Sequence, residues 1–457
     1  MRRVKFFIFL TFLLGLLFPA RAANTNSLVW QTATDRVSAD IRGEALWPLL
    51  ENIARQTGWH IFVEPDTARK VDVKFSGLPS GEALKKLLGN LNFAFVPRTN
   101  EAAHLYVFLT RRENATRLVN AGLAEAAPAK PKHVPNELIV KVKPGTDIDA
   151  LAKSLGAKVI GRDDKLGIYR LQFEDAAATE AALQKLKDNS AVEAVDYNYY
   201  YDPPAAAQPI SGASAGPVSL TLDPSTASDP CSPVVGLIDT GLQSMGSQLD
   251  QFIVKSISVT GEPSAASVGP THATSMAQTI LRAVSQQTKS TSVKILAVDV
   301  YGSSGTATTW NVALGIKAAV DGGATVLNMS LGGTSDSTIL DSIVKQALDK
   351  GVVIFAAAGN QPVDTATYPA AIAGVNAVTA LGSPGQLAAY ANYGSFVDMA
   401  LPGNSVVYLG NQAYVVQGTS PATAYASGVA AGYKGINCDS WEQIQAAMKQ
   451  KFTVPAK

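Results

Sequence analysis

The chain has 457 residues, 47% of them hydrophobic and 16% charged, a balance that builds soluble globular cores and, at this length, about two to four domains. With a formal charge of +1, nothing in the sequence suggests a nucleic-acid partner. The first 22 residues read as a secretory signal: Arg2, Arg3 and Lys5, an apolar run from Phe6 to Phe18, then Ala20, Arg21 and Ala22 before Ala23. That run is shorter than the about 20 residues a membrane-spanning helix needs. Its removal takes four basic residues and leaves a net charge of −3 on a chain expected to be secreted or periplasmic.

Residues 27–110 alternate helical and strand-like spacing. Leu46, Leu49, Leu50, Ile53 and Ala54 predict one helix and Leu84, Leu87, Leu88 and Leu91 another, while Trp59–Val63, Val71–Phe75 and Leu105–Leu109 predict strands, so this is a small α+β domain. The stretches I-R-G-E-A-L-W-P-L-L, Q-T-G-W-H-I-F-V, V-D-V-K-F-S-G-L-P-S-G-E-A-L-K-K-L-L and L-Y-V-F resemble the short N-terminal module of secretins and TonB-dependent receptors. The resemblance implies a periplasmic setting and an envelope or secretion-machinery protein as partner. A pure folding spacer is the alternative. His60 and His104 carry no motif and read as ordinary strand or surface residues.

Residues 111–133 are rich in Ala, with Pro128 and Pro131, and read as a linker. A second small α+β domain is expected over 134–202. E-L-I-V-K-V-K, G-I-Y-R-L-Q-F and V-E-A-V-D-Y read as strands, and Leu151–Leu155 and Ala182–Leu186 as helices. It resembles the propeptide of subtilisin-like peptidases, which implies a chaperone acting in cis whose last residues, here Tyr197 to Asp202, lie in the active-site cleft. Residues 203–230, rich in Pro, Ala and Ser, read as an exposed, cleavable connector.

From 231 to 457 apolar strand-like runs (Val234–Ile238, Val293–Val298, Val326–Leu331, Val352–Ala356) alternate with helical stretches after His272, around Val312–Val320 and over Ile339–Leu348. Such alternation predicts a parallel sheet with helices on both faces and active residues at the strands' carboxyl ends. Four motifs carry chemistry: V-V-G-L-I-D-T-G with Asp239, T-H-A-T-S-M-A-Q-T-I with His272, V-V-I-F-A-A-A-G-N with Asn360, and G-T-S-P-A-T-A-Y-A-S-G with Ser420. A serine hydroxyl becomes a nucleophile at neutral pH only if an imidazole takes its proton and a carboxylate fixes that imidazole's tautomer. Of the four histidines only His272 lies in this segment. An amide donor such as that of Asn360 then meets the negative charge on the tetrahedral intermediate.

Each motif is weak alone, but the order Asp, His, Asn, Ser at this spacing resembles the subtilisin-like serine peptidases. V-L-N-M-S-L-G-G and A-L-P-G-N-S-V extend the resemblance over nearly the whole segment. It implies an α/β subtilisin-like fold preceded by two small α+β domains, with Asp239, His272, Ser420 and Asn360 as the catalytic set and no cofactor. It also implies a substrate-binding edge of Ser330, Leu331, Gly332 and Gly333 that adds an extended polypeptide substrate as a strand. No segment between the His272 helix and Val293 resembles the family's calcium-binding insertion, so no tight metal site is expected.

The chain departs from the family pattern at Ala273, Ser275 and Gln278, which replace two glycines and a second histidine, and at Pro421, just after Ser420. Proline suits a first helical turn. Cys231 precedes Asp239 by eight strand residues and Cys438 follows Ser420 by a helix, each spanning about 26 Å, so a disulfide between them is expected on the face opposite the site. The leading expectation is a secreted endopeptidase made as a zymogen. The competing one is a non-catalytic envelope or secretion-associated binding protein with a degenerate subtilisin-like domain.

Overall fold

The computed structural model describes residues 26–455, apart from residues 33, 65–66, 68, 97–102, 113–114, 116, 120–131, 202–203, 211–219, 226–230, 263–268 and 383–384. The expected signal sequence lies outside the described residues. Two compact units divide the chain, one up to Ala129 and one from Lys130 to Lys457.

In the first unit the helix Leu46–Thr57 buries Leu46, Leu49, Leu50, Ile53 and Ala54, the helical stripe read from the sequence. Ser80–Leu88 buries Ala83, Leu84, Leu87 and Leu88. They cover a three-stranded antiparallel sheet, ordered Ser27–Gln31, Arg36–Ala45, Lys70–Leu78, and a four-stranded sheet, ordered Asn92–Val96, His104–Phe108, His60–Val63, Arg117–Val119. The last of these strands falls inside the stretch expected to be a linker. At three residues it is too short to show a period, yet Val119 pairs with Ile61 and is buried.

The second unit begins with an α+β body whose four strands run in the order Val192–Tyr201, His133–Val142, Ile168–Gln172, Lys158–Asp163. Its helices, Ile148–Ser154 and Ala176–Lys187, are capped by the Asp147 and Asp175 carboxylates, which accept first-turn N–H groups. The outer edge of Val192–Tyr201 pairs with Ala307–Thr308 of the following body, Tyr200 opposite Thr308 and Tyr201 opposite Ala307.

That following body is built on a parallel sheet of seven strands, ordered Ile253–Ser258, Lys294–Asp299, Val234–Asp239, Val326–Met329, Val353–Ala357, Asn376–Leu381, Met399–Pro402. Alternation within Val234–Asp239 sends Val235 and Leu237 to one face and Ile238 to the other. Helices His272–Ser285 and Thr419–Asn437 pack on the first face, Thr309–Asp321 and Thr338–Asp349 on the second. The chain fills one side of Val234–Asp239 with Lys294–Asp299 and then crosses to the other with Val326–Met329. Such a reversal opens a crevice at the carboxyl ends, and Asp239 and Ser330 stand at it.

The connector after the α+β body is less free than its composition predicts. Gln208–Pro209 pairs with the strand Gln412–Gln417, Asp223–Pro224 pairs with Ser290–Thr291, and Leu222 is fully buried. Backbone pairing needs no apolar side chain, so composition does not register it. Cys231 and Cys438 are joined, with Cα atoms 5.5 Å apart, at the amino end of the Asp239 strand and the carboxyl end of the Ser420 helix.

Candidate active site

Asp239 ends its strand almost fully buried, and the Thr240 N–H donates to its Oδ1 at 2.7 Å. His272 opens its helix under the cap of Thr271, whose hydroxyl accepts the Thr274 N–H. His272 Nδ1 lies 2.8 Å from both carboxylate oxygens of Asp239. An ionised carboxylate only accepts, so Nδ1 carries the proton and Nε2 keeps its lone pair. Thr240 joins the two elements a second time, its Oγ1 accepting from the Ala273 N–H at 3.0 Å.

Ser420 is the second residue of the helix Thr419–Asn437, behind Gly418 at φ 150°. A Cβ at Gly418 would meet Asn360 Nδ2 at 3.2 Å, so the glycine keeps the helix start against the asparagine. Asn360 Oδ1 accepts from the Thr419 N–H at 2.8 Å and its hydroxyl at 3.1 Å, leaving the amide nitrogen to donate elsewhere. Just before it, Gly359 adopts φ +104°, and any side chain there would strike Asn392 Nδ2 at 2.5 Å. The Ser420 hydroxyl donates to the Ser330 carbonyl at 3.2 Å, and Ser330 Oγ donates back to the Ser420 carbonyl at 3.1 Å. Asn328 and Ser427 extend this network, with bonds of 3.0 Å from Asn328 Nδ2 to Ser330 Oγ and from Ser427 Oγ to Asn328 Oδ1. No described hydrogen bond joins Ser420 to His272.

The sequence-predicted edge divides by residue. Ser330 and Leu331 are buried, Ser330 in the serine network and Leu331 in the core. Gly333 exchanges both backbone bonds with Tyr368, at 3.0 and 2.8 Å. Successive residues of an extended chain point their backbone groups to opposite sides, so Gly332 presents its N–H and C=O away from Tyr368. Thr419, Thr240 and Asn392 were not singled out from sequence. The G-T-S and D-T-G motifs contain the two threonines, but Asn392 lies in no motif.

The departures have local partners. Gln278 replaces a family residue with a two-way clamp, its Nε2 donating to the Tyr408 carbonyl at 2.7 Å and its Oε1 accepting the Tyr408 N–H at 2.8 Å. Ser275 bonds back to the Thr271 carbonyl at 3.1 Å, and Pro421 sits in the first helical turn, where no N–H is needed. Among the described residues no group of three or more His, Cys, Asp or Glu is placed to hold a metal ion, and no described helix is long and apolar enough to cross a membrane.

The α+β body reaches this site through its last strand. Tyr201 is buried among Ala307, Trp310, Leu331 and Ile339, and a Cβ at Gly333 would come 3.8 Å from the Tyr200 carbonyl. Upstream, the Asp196 carboxylate accepts from Ser337 Oγ, Thr338 Oγ1 and the Ile339 N–H at 2.9–3.0 Å, at the start of the helix Thr338–Asp349. Asn198, wholly buried, accepts the Trp310 N–H at 3.1 Å and donates to Glu137 at 3.0 Å. Burial holds the Asp196 carboxyl above its usual range despite those three bonds.

A doubly covered parallel sheet with a buried aspartate–histidine pair and a serine at a helix start is the arrangement of the subtilisin class, and comparison with known proteins agrees. Residues 232–455 match the subtilase family and residues 120–198 the fervidolysin N-terminal prodomain. Subtilisin Savinase of Lederbergia lenta is 34% identical over 200 residues, covering 43% of this chain and 74% of that protein. Thermitase of Thermoactinomyces vulgaris is 34% identical over 47% of this chain and 79% of its own. A thermophilic serine proteinase of Bacillus sp. (strain AK1) is 29% identical over 66% and 78%. The crystal structure of fervidolysin from Fervidobacterium pennivorans, described as a keratinolytic enzyme related to subtilisin, superimposes with a TM-score of 0.57 at 19% identity, covering 70% of this chain and 57% of that one. The chain belongs to the subtilase family and is a subtilisin-like serine endopeptidase with a prodomain.

Proposed function

We propose that the chain is an exported zymogen that hydrolyses peptide bonds through Ser420 as nucleophile, His272 as base and then acid, Asp239 as the group that orients the ring, and Asn360 as oxyanion donor. The observation that carries this reading is the contact of His272 Nδ1 with both Asp239 oxygens, which leaves Nε2 as the acceptor. For the reaction, the Ser420 hydroxyl turns from the Ser330 carbonyl to His272 Nε2, a side-chain rotation of the kind resting active sites require. The serine attacks the scissile carbonyl, and the imidazolium returns the proton to the leaving amine. The Asn360 amide and the Ser420 backbone N–H, at the positive end of its helix, meet the developing oxyanion.

Gly332 supplies the backbone pairing for the substrate upstream of the cut, and the prodomain tail at Tyr200–Tyr201 occupies that side in the precursor. Cys231–Cys438 staples the sheet strand to the Ser420 helix on the far side, the arrangement an exported protein retains. The first unit serves as an envelope docking module, as its resemblance to the secretin and TonB-receptor module implies. A serine-directed fluorophosphonate should label the processed protein, and casein hydrolysis should accompany it. Equal labelling and equal activity in Ser420→Ala would end the peptidase mechanism. A precursor that stays intact with Ser420 present would favour the binding protein.

A further inference from the structure

The connector that leaves the prodomain reappears beyond the active site as a strand. Gln208 and Pro209 add antiparallel to the outer edge of Gln412–Gln417, opposite Val415 and Tyr414, and the Ile210 N–H donates to the Ala413 carbonyl at 2.9 Å. Gln412 Nε2 donates to the Ile210 carbonyl at 3.2 Å. Pro209 faces Tyr414 between two hydrogen-bonded pairs, the one position of such a strand where a missing N–H costs nothing. The strand it covers leads directly through Gly418 and Thr419 to Ser420.

The antiparallel register gives the direction in which the connector approaches the serine. The pairing is described at Gln208 and Pro209; the same register continued back along the connector would set Ala206 level with Gln417 and Ala205 with Gly418. On that register a cut at Ser420 falls upstream of Ala206 and leaves Gln208–Ile210 on the peptidase side. The chain beyond stays fixed to that side by buried Leu222, the Asp223–Pro224 pairing and the Cys231–Cys438 link.

We propose that Gln208–Ile210 is a resident strand of the processed enzyme that closes the downstream half of the cleft to backbone recognition. The inference rests on the Ser420 peptidase reading. A substrate segment leaving the cut site runs along the edge that this strand already fills. Residues beyond about the second after the scissile bond find no free partner there, so the enzyme reads its substrates from the upstream side and accepts any downstream chain without gaining from it.

The test is a set of quenched-fluorescence peptides with one upstream sequence and one to six residues after the cut. On the processed wild type, kcat/KM stays level beyond the second downstream residue. In Ile210→Pro, which removes the donor to Ala413, and in Gln412→Ala, it climbs about five- to tenfold between two and six, the worth of one or two backbone bonds. An equal climb in the wild type overturns the proposal, as does a processed chain whose N-terminus lies beyond Ile210. Hydrogen exchange provides a readout independent of turnover: the Ile210 amide is protected in the processed wild type and loses protection in Gln412→Ala. If no peptide is cleaved at all the peptidase reading falls, and Ile210 exchange alone then decides whether the strand is resident, fast exchange in the wild type overturning it.

Discussion

Under the proposed mechanism the Asp239–His272 half of the site needs no rearrangement, its ring nitrogen 2.8 Å from two carboxylate oxygens and both residues buried. In the Ser420–Asn360 half the hydroxyl bonds the Ser330 carbonyl and the amide oxygen bonds Thr419. The proposed roles account for the difference. Orienting a base is a static task, whereas a nucleophile and an oxyanion donor must meet a group that is absent until substrate arrives.

Removing Ser420, the proposed nucleophile, should have the largest effect. Ser420→Ala is expected to lose about 10⁶ in kcat, the scale carried over from subtilisin's own serine. The measurement is single-turnover hydrolysis by processed protein. A loss below about tenfold would mean that some other group attacks. Asn360→Ala comes next, with a loss of about 10²–10³ in kcat and little change in KM, again the scale of subtilisin's own asparagine. Thr419→Val keeps the backbone donor to Asn360 but removes the hydroxyl, so its loss in kcat should be smaller than that of Asn360→Ala. Equal losses would assign the positioning of the amide to the hydroxyl alone.

The parallel sheet was legible, and Asp239, His272, Asn360 and Ser420 stood out as candidates, because their signals are local: apolar runs of strand length, and Asp239 and Ser330 at run ends where active residues collect. The helical stripe Leu46–Ala54 was equally plain, since five buried positions repeat at helical spacing. Features held by backbone pairing alone were hidden. The strand Arg117–Val119 and the connector strand Gln208–Pro209 show no periodicity, and both lie in stretches whose composition reads as linker. Asn392, which limits the space beside Gly359, lies far from any motif. The role of Gln278 was also invisible, because its partner is a main-chain group 130 residues away.

The same contrast between fixed and adjustable recurs where the prodomain docks. Asn198 is neutral and fully buried between Trp310 N–H and Glu137. Replacing it with alanine leaves the Trp310 N–H across the interface without this acceptor, a cost of about 1–3 kcal/mol, or roughly 5- to 150-fold faster loss of the prodomain from the processed complex. Native mass spectrometry of that complex measures the loss. An unchanged lifetime would mean that water replaces Asn198 at no cost.

Asp196 gives the smallest effect and the only one that depends on pH. Burial raises its carboxyl pKa above the ordinary 3.8, against the lowering pull of Ile339, Thr338 and Ser337. Facing it across the interface, the Asp341 carboxyl is also raised, by burial and then by the charges of Asp336 and Asp196. Tyr199, Tyr201 and Tyr368 stand near the same acids, and burial first of all raises their pKa values above the ordinary 10, so none of them titrates in this range. A carboxyl whose pKa rises on docking binds its proton more tightly in the complex, so protonation favours the docked state. Docking is therefore strongest below the ordinary value and weakens as pH rises through the raised one. Above it, the full cost of burying the ionised group is present. The prodomain should dissociate faster from the processed wild type as pH climbs through the range just above 3.8, and Asp196→Asn should flatten that dependence while its amide oxygen still accepts from Ser337, Thr338 and Ile339. The same slope in both proteins would move the titrating group from Asp196 to Asp341, and the double replacement Asp196→Asn with Asp341→Asn would then be the one that levels it.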